Sequence, residues 1–260
     1  MKGNIDNLYA LFGRATDAER KEFGQAFYRY HGIMRDLAQE NGVTLPIAAA
    51  VFSSLSPNND YIGNIRDARK MLEASSMGLG IDDFTVSTYG HNKRKAWAIV
   101  KGADPLDEII ALKTRNFYLN ISFPDNPEPV TVDGHMYWAW HGQRGRVTGH
   151  KGKGDAVTDR TRAASMNPRL YHEIELAVRS IAINHGLKGH QAQSIIWHAY
   201  RQRYNVLGTR QLDLLPRDLM AANGSTVQKK PAAPTKVIVP MGCADSGKRT
   251  QSVQRELTLI

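Results

Sequence analysis

Two residues of this 260-residue chain combine reactive side chains with suggestive positions: Lys113 in Leu112-Lys113-Thr114-Arg115, and Asp133 in Val130-Thr131-Val132-Asp133-Gly134-His135-Met136. An amine that sheds its proton in a dry cleft attacks a sugar anomeric carbon and forms a Schiff base there. A carboxylate close to a sugar ring stabilises positive charge as it develops, or deprotonates an attacking water or amine. At a helix N-terminus, backbone N–H groups and the helix dipole keep such a carboxylate ionised. Each residue also has an ordinary role. Aspartate is a favoured helix cap, and a first-turn lysine commonly sits on the surface or grips a phosphate.

The elements that must position these two residues read as helices. Residues 130–132 are apolar and extended, and 136–140 continue as helix, which puts Asp133 at a helix start. Pro105 opens 106–110, and 113–120 follows closely, so two short helices surround a tight turn. Upstream, 18–41 carries Phe23, Phe27, Tyr30, Ile33, Met34 and Leu37 at three- and four-residue steps. Gly42 is a stop signal. Pro46 opens the apolar run 47–52, which leads into a turn-forming stretch, 53–60, and a helix over 61–74. Val86 to Gly90 precede a helix over 93–100. Prolines 124, 127 and 129 forbid regular structure before Val130, Asn167-Pro168 starts a helix through Ile183, and 189–204 forms the last one. Period-two alternation is scarce, so the expected fold class is all-α.

A Lys-Thr helix start followed at this spacing by Val-x-Val-Asp-x-His resembles the catalytic core of the helix-hairpin-helix (HhH-GPD) DNA glycosylase superfamily. The resemblance extends over 46–140. The Ser56-Pro57-Asn58-Asn59-Asp60 turn and Asn64-Ile65-Arg66-Asp67-Ala68 look like the region that fills the gap left by a flipped base. Tyr89-Gly90-x-x-Lys93-Arg94-Lys95-Ala96 looks like the segment before the hairpin. The resemblance implies a two-lobed helical domain over 1–220, with Lys113 and Asp133 catalytic and His135 behind them. Contacts to DNA would come from Ser56, Asn58, Asn59, Tyr61, Lys93, Arg94, Lys95, Thr114 and Arg115. The partner would be DNA, as a duplex with a flipped base or as a single strand. The implied activity is N-glycosylase, with or without AP-lyase chemistry, on a modified base, by a monomer in the cytoplasm, that of the host if phage-encoded.

One departure bears on the hairpin. The family usually has Gly-hydrophobic-Gly before the lysine, whereas this chain has Ile109-Ile110-Ala111, a less open approach for a phosphate. Such divergence is similar to phage proteins resembling the α-glutamyl/putrescinyl thymine pyrophosphorylases. That alternative is a base-hypermodifying transferase, in which Lys113 binds pyrophosphate or activates an amine and Asp133 acts as base. A non-catalytic DNA-binding module is the third outcome left open.

Lys and Arg outnumber Asp and Glu by 34 to 25, a net charge of +9 that suits a polyanionic partner. Part of the excess sits in a Lys/Pro/Ala/Ser-rich stretch, 221–260, expected as a flexible basic tail. Six basic and two acidic residues of the body fall in the Gly-rich stretch 142–162. The single Cys243 excludes an intramolecular disulfide and a four-cysteine metal centre. His135 and His141 lie six apart, and His185, His190 and His198 share no i, i+4 pair, so neither metal nor cofactor is expected. Residues 242–248 nearly spell a phosphate-binding loop, but Arg249 stands where Ser or Thr belongs and too little chain follows for its supporting unit. Met1 to Tyr9 lack the charge and apolar pattern of a secretory signal, and no apolar run would span a bilayer.

Overall fold

A computed structural model of the chain describes residues 4–57, 59–145 and 167–205, within the first of two units into which the chain divides, Met1–Lys229. Asn58, most of the basic stretch after Gly142, the expected tail and the near-phosphate loop lie outside the described residues. The fold is all-α, with no strand among the described residues. Its helices are α1 (Ile5–Arg14), α2 (Asp17–Phe23), α3 (Ala26–Glu40), α4 (Leu45–Leu55), α5 (Tyr61–Ser76), α6 (Gly90–Val100), α7 (Pro105–Glu108), α8 (Leu112–Ser122), α9 (Gly134–Trp140), α10 (Pro168–Asn184) and α11 (Gly189–Tyr204). No described helix is long and apolar enough to cross a membrane.

Two apolar cores hold these helices. The first is built around α4, whose residues Ala48 to Leu55 are all buried. Its run of alanines lets α3, α5, α6 and α8 pack closely on every side. The second gathers Leu8, Leu11 and Phe12 of α1, Met136 of α9, Tyr171 and Val178 of α10, and Ile195 and Tyr200 of α11. A fully buried side chain of this size contributes about 1.5–3 kcal/mol. Helix α8 straddles the two cores. Leu112 packs with the second while Tyr118 and Ile121 lie in the first, which leaves Lys113 at the junction.

The single amphipathic helix expected over 18–41 is two helices. Thr16 caps α2 in a capping box with Glu19, and the chain breaks at Gly24-Gln25 before α3 resumes. The break follows from packing. A Cβ on Gly24 would lie 2.9 Å from the Arg20 carbonyl and within contact of Gln191 on α11. Phe23 thereby joins the second core and Phe27 the first, which one straight helix does not allow.

The irregular segment before α9 is buried, so its backbone groups need partners. Tyr171 supplies two: its hydroxyl donates to the Val130 carbonyl at 2.8 Å and accepts from the Val132 N–H at 3.2 Å. Asn116 of α8 donates to the same carbonyl at 2.9 Å, and Asn120 donates to the Thr131 hydroxyl at 3.0 Å. Helices α8 and α10 therefore clamp the strap that delivers Asp133.

The start of α11 leaves no room for a side chain where it meets this strap. The Gly189 N–H donates to the Pro127 carbonyl, and an added Cβ would lie 2.8 Å from Val130 Cγ2 and 2.9 Å from the Pro127 oxygen. Gly189→Ala is expected to destabilise the protein by roughly 1–3 kcal/mol through overpacking. Urea denaturation should show this as a lower midpoint with an unchanged slope.

Candidate active site at Asp133

Asp133 is the N-cap of α9, with extended backbone (φ −104°, ψ −174°). One carboxylate oxygen, Oδ1, accepts the Met136 N–H at 2.9 Å. The other accepts the Trp197 indole N–H at 2.9 Å and lies 3.2 Å from His135 Nδ1. The side chain is 18% exposed, so it is held by three donors and still reachable from solvent. Burial pushes its pKa up. The charge and hydrogen bond of His135, the charge of Lys113 and the Met136 N–H outweigh that effect, leaving the group well below the usual carboxylate range. A carboxylate of this kind is a poor base at neutral pH and a good fixed negative charge.

His135 is itself buried and packs edge-on against Trp197 and Tyr200, at 5.3 and 6.0 Å between ring centres. Lys113 sits in the first turn of α8, after Ala111, which supplies no side-chain cap. It is half-buried. Its charge reaches Asp133, but no ion pair closes within 4.0 Å, and among the described residues its ammonium has no hydrogen-bond partner. The amine is therefore held near the carboxylate without being consumed by it.

Three further residues complete the constellation. The Arg201 guanidinium lies 4.1 Å over the Trp197 ring, and the charges of Asp133 and Tyr30 act on it. Tyr30 of α3 packs edge-on against Tyr61 at 5.3 Å and Phe117 at 5.8 Å, forming an aromatic wall. Burial raises the Tyr30 phenol to about 12 against the opposing charges of Arg201 and Arg29. Trp197 reads from sequence as a core aromatic, yet its N–H is one of the three donors to Asp133. Trp197 and Arg201 are four residues apart on one helix face, a spacing visible in the sequence. Tyr30 carries no comparable signal, because only the fold brings α3 to α11.

The other residues implied by the resemblance are dispersed. Tyr61 lies at the aromatic wall. Ser56 turns its hydroxyl back onto the Ser53 carbonyl at 2.8 Å. Asn59 donates to Asp67 Oδ2 at 2.9 Å, and the same oxygen accepts the Ser87 N–H at 2.7 Å, so Asp67 ties the two loops together. Lys93 donates to the Phe84 carbonyl at 2.5 Å and covers the Phe84 ring. Arg94 and Arg115 are exposed, and Lys95 and Thr114 half-buried. The tight turn at 109–111 is present, with α7 reduced to a single turn before it. Ile109 is fully buried there and Ile110 is 76% exposed.

His198 faces the same junction and stacks on Phe23 at 4.1 Å. Burial and then the charges of Arg201 and Arg29 push its pKa down to about 3 from 6.5. The unfolded chain therefore binds this proton first as pH falls. The stability that neutral His198 contributes is complete above pH ~6.5 and declines towards pH ~3, by at most about 1.4 kcal/mol per pH unit. Unfolding free energies measured by urea across that window should fall with acidity in the native protein, and His198→Phe should flatten the dependence.

Residues 2–204 match a family model described as Family of unknown function (DUF7178). No curated protein and no solved structure matches the chain.

Proposed function

The chain belongs to the DUF7178 family, and from that premise we propose that it is a DNA glycosylase with lyase capability, acting on a modified base flipped out of DNA. Asp133 carries the reading. It is a partly accessible carboxylate, fixed by three donors at a helix start and ionised far below neutral pH, with an uncommitted amine, Lys113, whose charge reaches it. As the bond from the sugar C1′ to the base nitrogen breaks, its electron pair leaves with the base and the ring becomes cationic. Asp133 stabilises that charge. The Lys113 ammonium passes one proton to the departing base and its freed electron pair bonds to C1′; a second nitrogen proton moves to the ring oxygen as the C1′–O4′ bond breaks, leaving the protonated Schiff base.

The low pKa of Asp133 favours the glycosylase reading over the transferase one. A thymine pyrophosphorylase-like transferase would ask Asp133 to take a proton, which a group ionised so far below pH 7 does poorly. Oxocarbenium stabilisation asks only for the charge. DNA is the proposed partner, supported by the net charge of +9 and by the exposed Arg94 and Arg115. The protein would work as a cytoplasmic monomer.

Borohydride should trap Lys113 covalently on a substrate DNA, and Lys113→Ala should abolish the adduct. Asp133→Asn keeps the cap and shape but removes the charge, so base release should fall by about 10²–10³-fold with DNA affinity nearly unchanged. The substrate is found by assaying free-base release from modified and unmodified phage DNAs. Inactivity on all of them, with DNA still bound, would sink the enzymatic reading. Binding itself should weaken steeply as salt rises, because phosphate neutralisation releases counterions. Affinity independent of salt, or absent at low ionic strength, would remove DNA as the partner.

A further inference from the structure

Among the described residues Arg201 is a buried cation without a hydrogen bond. It is 6% exposed, its Nε and Nη2 are sealed from solvent, and neither meets an acceptor among those residues. Its close contact is the flat face of Trp197 beneath the guanidinium. Asp133 is the carboxylate whose charge acts on it, but both Asp133 oxygens already serve Met136, His135 and Trp197. A guanidinium left this way is costly, because desolvation is not repaid by bonded partners. Nε and Nη2 form one edge of the planar group, the edge that grips two oxygens of a carboxylate or phosphate side by side. The indole face fixes the plane of that edge, and the ammonium of Lys113 adds a second positive charge near the same carboxylate.

We infer that the Nε/Nη2 edge of Arg201 is a receptor for an oxyanion carried by the protein's ligand, held over Trp197 and beside Asp133. Two sources present that oxyanion chemistry: a carboxylate, such as an acidic substituent on a flipped base, or a phosphate or pyrophosphate group. The receptor rests on the surroundings of Arg201 alone and does not depend on the DNA reading.

Calorimetric titration of the full chain without DNA, using sodium pyrophosphate, inorganic phosphate and L-glutamate as probes, tests the assignment. Saturable one-to-one binding of at least one probe is expected. Preference for pyrophosphate or phosphate marks the phosphate source, and preference for glutamate the carboxylate source. Arg201→Met should weaken the bound probe by roughly a hundredfold, the loss of two charge-assisted hydrogen bonds. Arg201→Lys, which keeps the charge without the fork, should weaken it by about tenfold. Because Arg201→Met replaces an unpaired buried charge with an apolar chain, its melting temperature should equal or exceed that of the native protein. Absence of saturable binding by every probe overturns the inference, as does binding that Arg201→Met leaves unchanged. A destabilised Arg201→Met together with a native melting temperature that no probe raises shows a packing role and overturns it equally. Failure of base release with anion binding intact would sink the proposed function and leave this receptor standing.

Discussion

Keeping one carboxylate charged inside the protein sets the terms for everything around it. Desolvation alone would drive Asp133 to take up a proton, so the fold has to supply donors that outweigh that cost. It does so from three places: the α9 backbone through Met136, the adjacent His135, and the distant Trp197 on α11. The first two follow from local chain geometry at a helix start. The third requires α11 to lie against α9 in one register, and that in turn depends on the glycine-tight contact at Gly189 and the second apolar core.

The strap ahead of Asp133 answers the same demand. A buried segment outside any helix leaves backbone groups that must be paired. Tyr171 and Asn116 meet that requirement from helices on both sides, and Asn120 holds the Thr131 hydroxyl. Side chains from α8 and α10 thus do the work that a sheet neighbour would do elsewhere. The result is a carboxylate fixed in position before any ligand arrives, which is the condition for electrostatic stabilisation without reorganisation.

Around this anion the polar side chains are unevenly spent. His135 bonds to it, Lys113 stands off with its ammonium uncommitted, and Arg201 is buried over Trp197 with an idle edge. Lys93, by comparison, is occupied by the Phe84 carbonyl, Lys188 by Asp125 and Tyr28, and Arg179 by Glu128 and Glu175.

The chain's local grammar announced most of the helices by itself. The last helix has the bounds that its sequence indicates, α10 begins one residue after the Asn167 cap, and the cap role of Asp133 is written in Val130-Thr131-Val132-Asp133. These are decided within a turn or two of chain, where periodicity, proline and capping residues act. The break at Gly24 escaped that reading because both halves keep helical periodicity, and only the need to send Phe23 and Phe27 into different cores separates them. Helix α1 offered too short an apolar pattern to stand out, and it holds its place through Leu8, Leu11 and Phe12 in the second core. The pair Lys113 and Asp133 was legible as residue types at a spacing. Whether the pair communicates was settled by α8 bridging two cores, and the parts played by Tyr30, Trp197 and Arg201 by helices far apart in sequence meeting at one junction. Capping and periodicity act over a few residues and leave a trace in sequence. The field at a buried charge is a sum over neighbours in space, which only the packed structure assembles.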